Sequence, residues 1–170
     1  MRAQTLDFVT DSPDATAEFG ARLAGVLRAG DVIGLVGTLG AGKTCLVRGL
    51  ARGLGVAGQR TGRHGPTVTS PTFVLMRQYE GRLTLSHFDA YRLEGARDME
   101  ELGCQEVFDS GGVSVIEWAD HVADCLPQEH FLLTIRMAGP RRRELALKGV
   151  GAGPGARLDE MAAALADWAA

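Results

Sequence analysis

The sequence predicts an α/β fold in which a mixed central sheet is flanked by helices, built as a single domain spanning residues 1–170. Three observations carry that prediction. A short apolar run, Asp31 to Val36 (DVIGLV), leads into a glycine-rich loop and then a helical pattern from Lys43 to Leu54. Two pairs of segments alternate apolar and polar residues in the manner of β-hairpins. Helical periodicity stands near both ends of the chain, so helices are available to cover the sheet. At 170 residues the chain is long enough to enclose a core without disulfides or structural metals.

The elements follow in order. Ser12-Pro13-Asp14 reads as a helix start, with serine as N-cap, proline in the first turn and an acid near the positive dipole end. Phe19, Leu23 and Leu27 then recur at four-residue spacing and give one buried face up to about Arg28. The run 31–36 suits a strand covered on both faces. In the helix that starts at Lys43, Leu46, Val47 and Leu50 point inward. Gly55 to Val68 is rich in glycine and poor in apolar residues, as an exposed connection would be, and Arg60, Arg63 and His64 read as solvated charges in it. Phe73 to Tyr79 and Arg82 to Phe88 flank Glu80-Gly81 as the arms of a hairpin, and Asp89 ends the second arm. Gly112 to Ile116 is a further short strand running into Glu117-Trp118. Phe131 to Met137 and Glu144 to Val150 form the second hairpin around the basic turn 139–143. After a glycine-rich stretch, Leu158, Met161, Leu165 and Trp168 share one face of a last helix.

Composition excludes several classes. The formal charge of −3 argues against a protein whose main task is to coat nucleic acid, which needs many basic residues against phosphates. Any role with nucleic acid is expected to be indirect. No run approaches the length needed to cross a bilayer, and a soluble, cytoplasmic protein is expected. Cys45, Cys104 and Cys125 form no C-x-x-C pair and stand near no histidine cluster, so free thiols are expected.

The informative motif is Gly37 to Thr44, GTLGAGKT, between the strand and the helix. The spacing of glycine, four residues and then G-K-T lets a loop wrap phosphates with its backbone N–H groups turned inward, where only glycine tolerates the close approach. Gly37, Thr38, Leu39, Gly40, Ala41, Gly42, Lys43, Thr44 and Cys45 are therefore the expected nucleotide-binding residues. Lys43 would reach the β- and γ-phosphates, and Thr44 would give its hydroxyl to Mg²⁺. Among eighteen basic residues only Lys43 and Lys148 are lysines, so the lysine here is no by-product of a lysine-rich chain. ATP and Mg²⁺ are the expected ligands.

Such a loop needs a carboxylate beyond the end of a neighbouring strand to hold the metal. Asp89 stands where the apolar positions Leu83, Leu85 and Phe88 finish, and Glu117 stands after Val113 to Ile116. Asp89 is the first candidate and Glu117 the second, for the metal or for the attacking water. A strand-end cap at Asp89 and a surface charge at Glu117 are the plainer alternatives.

Taken together, GTLGAGKT, SPTF at Ser70 to Phe73, HFDAYRL at His87 to Leu93 and IEWAD at Ile116 to Asp120 resemble the TsaE family, formerly called YjeE. The resemblance runs from the Ser12 helix to the turn near Arg143 and is weakest after Gly149. It implies a small P-loop ATPase that helps the TsaD and TsaB proteins form N6-threonylcarbamoyladenosine in tRNA, meeting tRNA only through that complex. By motif match it assigns Mg²⁺ binding to Thr44 and Glu117, a catalytic carboxylate to Asp89, and a switch-like segment to Ser70 to Thr72, in which Thr72 would sense the γ-phosphate or metal. Thr38 and Cys45 depart from the acidic residue and the second threonine common in the family, and the connection before Ser70 is longer than in compact members. His87 reads as a packing or orienting residue and not a metal ligand, since Mg²⁺ prefers oxygen.

Two other classes compete. A small-molecule kinase of the shikimate-kinase type shares the loop, size and architecture, but leaves SPTF and Glu117-Trp118 without a task. A nucleotide-dependent interaction module, changing shape for a partner, combines with the ATPase reading. A GTPase is disfavoured because no N-K-x-D motif occurs.

Overall fold

The computed structural model describes residues 4–56, 68–71 and 74–170. Seven strands form one sheet: β1 (Thr5–Thr10), β2 (Val32–Val36), β3 (Met76–Tyr79), β4 (Leu85–Asp89), β5 (Val113–Glu117), β6 (His130–Met137) and β7 (Arg143–Val150). Their order is β1-β7-β6-β2-β5-β4-β3. The central β6, β2, β5 and β4 run parallel, while β3, β7 and β1 are antiparallel to their neighbours. The expected mixed sheet is thus present, with both hairpins at about the expected places.

Helices cover both faces. On one side lie α1 (Pro13–Ala24), α2 (Lys43–Gly53) and α6 (Leu158–Ala164), and their Phe19, Leu23, Leu46, Leu50 and Met161 meet Ile33, Leu35 and Val115 of the sheet. On the other lie α3 (Ala96–Glu101), α4 (Cys104–Phe108) and a 3₁₀ segment, Ala119–Cys125, packed on Val32, Phe88 and Ile116. Adjacent residues of one strand serve opposite layers because side chains alternate across a sheet. Val115 and Ile116 show it in β5.

Ser12 caps α1 by accepting a hydrogen bond from the Ala15 N–H at 3.1 Å. The helix stops at Ala24, short of the expected Arg28, because the chain tightens into i→i−3 bonds at Val26 and Leu27 and Asp31 accepts from the Arg28 N–H at 2.7 Å. Helices α1 and α2 pack backbone to backbone, since a Cβ on Gly49 would collide with the Ala17 carbonyl. Cys104 and Cys125 are buried free thiols with their sulfurs 2.8 Å apart, which places α4 against the 3₁₀ segment.

Some elements lie outside the sequence expectation. β1 pairs along its whole length with β7, and α3, α4 and the 3₁₀ segment 119–125 are short pieces held by tertiary burial. The last helix is broken: β7 runs to Val150, a short α5 (Ala152–Ala156) follows, and the chain ends in a 3₁₀ turn at Ala166–Trp168. Leu158, Met161 and Leu165 are buried as one face, and Trp168 packs edge-on against Phe19. Most of the expected connection, residues 57–67, lies outside the described residues, as do Thr72 and Phe73.

Candidate functional site

The loop between β2 and α2 occupies the end of the sheet at which the parallel strands finish. Gly40 and Gly42 adopt φ of 78° and 110°, a region that penalises any side chain, and Gly42 is the residue from which α2 starts. Leu46 N–H donates to the Gly42 carbonyl at 2.9 Å, so the helix is hydrogen-bonded from its first turn. The positive end of an eleven-residue helix therefore faces the loop.

Lys43 is the first residue of α2 and bends back over this loop. Its Nζ donates to the Gly37 carbonyl at 2.6 Å and to the Thr38 carbonyl at 2.9 Å. The same ammonium lies 3.9 Å from the centroid of the Trp118 ring, a cation–π contact. Burial pushes the Lys43 pKa below its ordinary 10.5, while the charges of Glu117, Asp89 and Asp120 pull it back up. Trp118 reaches this place because its own backbone is left-handed, with φ of 59°, directly after β5 ends. Tyr91 packs at a tilt against the same indole, ring centroids 5.0 Å apart.

The two carboxylates end adjacent parallel strands in the same register, Asp89 opposite Glu117. Both are nearly fully buried, at 3% exposure. Glu117 Oε1 accepts from the Thr44 hydroxyl at 2.9 Å and from His87 Nε2 at 3.0 Å, and His87 is itself wholly buried. Asp89 Oδ1 accepts from the Tyr91 N–H at 2.9 Å, and its Oδ2 accepts from the Ser70 hydroxyl. A buried carboxylate is tolerable only with partners of this kind.

These groups line one cleft of about 360 Å³, bounded by Leu39, Gly40, Gly42, Lys43, Thr44, Cys45, Ser70, Asp89, Tyr91, Glu117 and Trp118. The volume falls within the range of small-molecule sites, about 300–1,000 Å³. The structure thus brings together Lys43, Thr44, Asp89 and Glu117, with Leu39, Gly40, Gly42 and Cys45 around them. Ala41, within the loop, is wholly buried, and Gly37 and Thr38 contribute the carbonyls that hold Lys43. Cys45 turns its thiol to the Pro13 carbonyl, and burial raises its pKa. Thr72 lies outside the described residues. Among the described residues no cluster of three or more His, Cys, Asp and Glu side chains could hold a metal ion by itself.

Sequence reasoning did not single out Trp118 and Tyr91 as lining residues, nor Arg143 as a neighbour of the loop. Trp118 and Tyr91 each lie one or two residues beyond a strand-end carboxylate, and that proximity is the signal that could have marked them. The basic turn 139–143 is visible in the sequence, but nothing local there points Arg143 toward the carbonyls of Gly40 and Ala41.

A parallel-centred sheet with a glycine-rich strand–loop–helix turn at its C-terminal edge defines a P-loop-type α/β fold. A family model described as threonylcarbamoyl adenosine biosynthesis protein TsaE matches residues 10–145, and the chain belongs to the TsaE family. A TsaE protein of Treponema pallidum is 41% identical over 82% of this chain and 97% of its own length. One of Bacillus subtilis is 38% identical over 86% of this chain and 87% of its own. The crystal structure of Bacillus subtilis YdiB superposes with a TM-score of 0.77 at 31% identity, covering 96% of this chain and 97% of that one. No helix among the described residues is long and apolar enough to cross a membrane.

Proposed function

We propose that this chain binds ATP with Mg²⁺ in the cleft and hydrolyses it to ADP and phosphate, as an accessory protein to TsaB and TsaD in forming N6-threonylcarbamoyladenosine in tRNA. The observation that supports it most is the convergence of Lys43, Thr44, Asp89 and Glu117 at one loop. The names of the curated relatives supply the pathway.

The donor set fits the metal. Thr44 spends its hydroxyl proton on Glu117, which leaves oxygen lone pairs available, and Glu117 and Asp89 add carboxylate oxygens. Mg²⁺ prefers such oxygens and takes only one or two carboxylates, completing its shell with phosphate and water. When bound it would neutralise charge on the β- and γ-phosphates and hold them in line for attack.

The chain's own residues do the rest. Lys43 presents a desolvated ammonium to the phosphates, and its carbonyl partners fix where that charge stands. His87, donating to Glu117 from a buried position, keeps the carboxylate turned toward Thr44. Asp89, held by the Tyr91 N–H and the Ser70 hydroxyl, ties the segment at Ser70 to the strand edge, so a ligand that competes for Asp89 would also be felt at Ser70.

The test is reconstitution. The purified chain should release ADP and free phosphate slowly without any acceptor metabolite. Matched TsaB and TsaD should raise that rate, and tRNA modification should proceed only with a chain able to hydrolyse ATP. Acceptor-dependent phosphoryl transfer, or a TsaB–TsaD system indifferent to this chain, would overturn the proposal.

A further inference from the structure

The β6–β7 hairpin turn reaches the glycine-rich loop, and Arg143, the first residue of β7, makes the contact. Its Nε donates to the Ala41 carbonyl at 2.7 Å and its Nη2 to the Gly40 carbonyl at 3.4 Å. Its Nη1 donates to the carbonyls of Gly139 at 3.0 Å and Arg142 at 2.9 Å. All three guanidinium nitrogens are thus engaged by main-chain oxygens, two from the loop and two from the hairpin turn. The backbone of Arg143 is pinned on both flanks, opposite Thr10 of β1 and Met137 of β6.

We propose that Arg143 is a positioning residue of the nucleotide cradle: by holding the Ala41 carbonyl away from the cleft it turns the Gly42 N–H into it. The inference rests on the ATP-binding reading above. The Ala41 carbonyl and the Gly42 N–H belong to one trans peptide unit, in which the two groups point in opposite directions. Gly42 lines the cleft, whereas Arg143 is not among the described residues that do, so it pulls on the loop from behind. The preceding donor, the Ala41 N–H, is already committed to the Thr38 carbonyl at 3.0 Å. The orientation of the 41–42 peptide therefore decides where the next donor of the cradle points.

Two cations divide the loop between them. Lys43 takes the carbonyls of Gly37 and Thr38, and Arg143 those of Gly40 and Ala41. Glycines at φ of 78° and 110° have broad freedom of their own, so the loop needs an external restraint to keep one shape. A planar fork of donors can bridge the loop and the hairpin turn at once, and a lysine ammonium on a flexible stem cannot reproduce that geometry.

The experiment compares wild type with Arg143→Ala, Arg143→Lys and Arg143→Gln, taking Arg142→Ala as the control on the same turn. ADP binding is read by calorimetry, ATP turnover by phosphate release, and folding by thermal melting. Arg143→Ala is expected to weaken ADP binding by about ten-fold and raise KM for ATP similarly, with kcat at saturation within about three-fold of wild type. Arg143→Lys should restore little of this, and Arg142→Ala should bind as wild type does. Arg143→Gln, which keeps one amide donor, serves where the alanine variant does not fold. Wild-type affinity in a folded Arg143→Ala or Arg143→Gln, or an affinity loss that tracks lost melting temperature and is rescued by lysine, would overturn the inference alone. A wild-type chain that binds neither ADP nor ATP would overturn the nucleotide reading, and this inference with it.

Discussion

Thr44 Oγ1 lies 2.9 Å from Glu117 Oε1, joining the first turn of α2 to the last residue of β5. The two residues are far apart in the chain, and their contact brings the glycine-rich loop to the strand-end carboxylates. Glu117→Gln keeps the volume but removes the charge, and one amide oxygen must then serve both Thr44 and His87. We expect nucleotide to be retained and hydrolysis to fall by about ten-fold or more, measured as phosphate release at saturating ATP. Unchanged turnover would return Glu117 to a purely structural place.

Asp89→Asn separates the second carboxylate from the first. Its partners, the Tyr91 N–H and the Ser70 hydroxyl, both donate, so an amide turned the wrong way meets one of them donor to donor. ATP turnover should drop while ADP binding stays within about three-fold of wild type, because a ligand to metal or water contributes little to holding the diphosphate. An equal loss of ADP affinity would show that Asp89 serves the loop's shape instead.

Lys43→Ala should remain folded and lose most nucleotide affinity, since it removes the only ammonium among the described residues that line the cleft and frees the Gly37 and Thr38 carbonyls. Calorimetric titration with ADP checks it. Wild-type affinity in that variant would count directly against the nucleotide site.

Gly49→Ala tests the packing that supports the loop from below. Alanine in an exposed helix is favoured over glycine by about 0.5–1 kcal/mol. Here the added Cβ meets the Ala17 backbone of α1, so the helices must separate. A net loss of about 1–3 kcal/mol is expected, as for overpacking. A thermal midpoint equal to or above that of wild type would contradict the contact.

Cys104 sets an alkaline limit. Burial pushes its pKa up from 9.0 to about 12, helped by the hydrogen bond and charge of Cys125 and by Glu100. The unfolded thiol ionises first, so the unfolded state binds fewer protons above pH 9. The stabilising contribution is therefore whole below about pH 9 and is lost toward pH 12. Urea stability should fall less between pH 8.5 and 10.5, roughly the range over which the unfolded thiol ionises, in Cys104→Ala than in wild type. Parallel slopes would refute the assignment.

The local features are legible in the linear pattern. GTLGAGKT between a buried strand and a helix dictates a glycine-rich turn, because spacing and backbone freedom are properties of neighbouring residues. Likewise the apolar runs before Asp89 and Glu117 place each carboxylate at a strand end, and the alternation around residues 80–81 and 139–143 marks both hairpins. The tertiary structure alone decided that β4 and β5 are parallel neighbours in a register that puts Asp89 opposite Glu117, and that Thr44 meets Glu117. It also decided that β1 lies on β7, that Cys104 meets Cys125, and that Arg143 closes on the loop across 102 positions of chain. Register, strand order and the reach of a side chain depend on which surfaces are buried against each other, and a linear pattern records only that a surface will be buried, not against what.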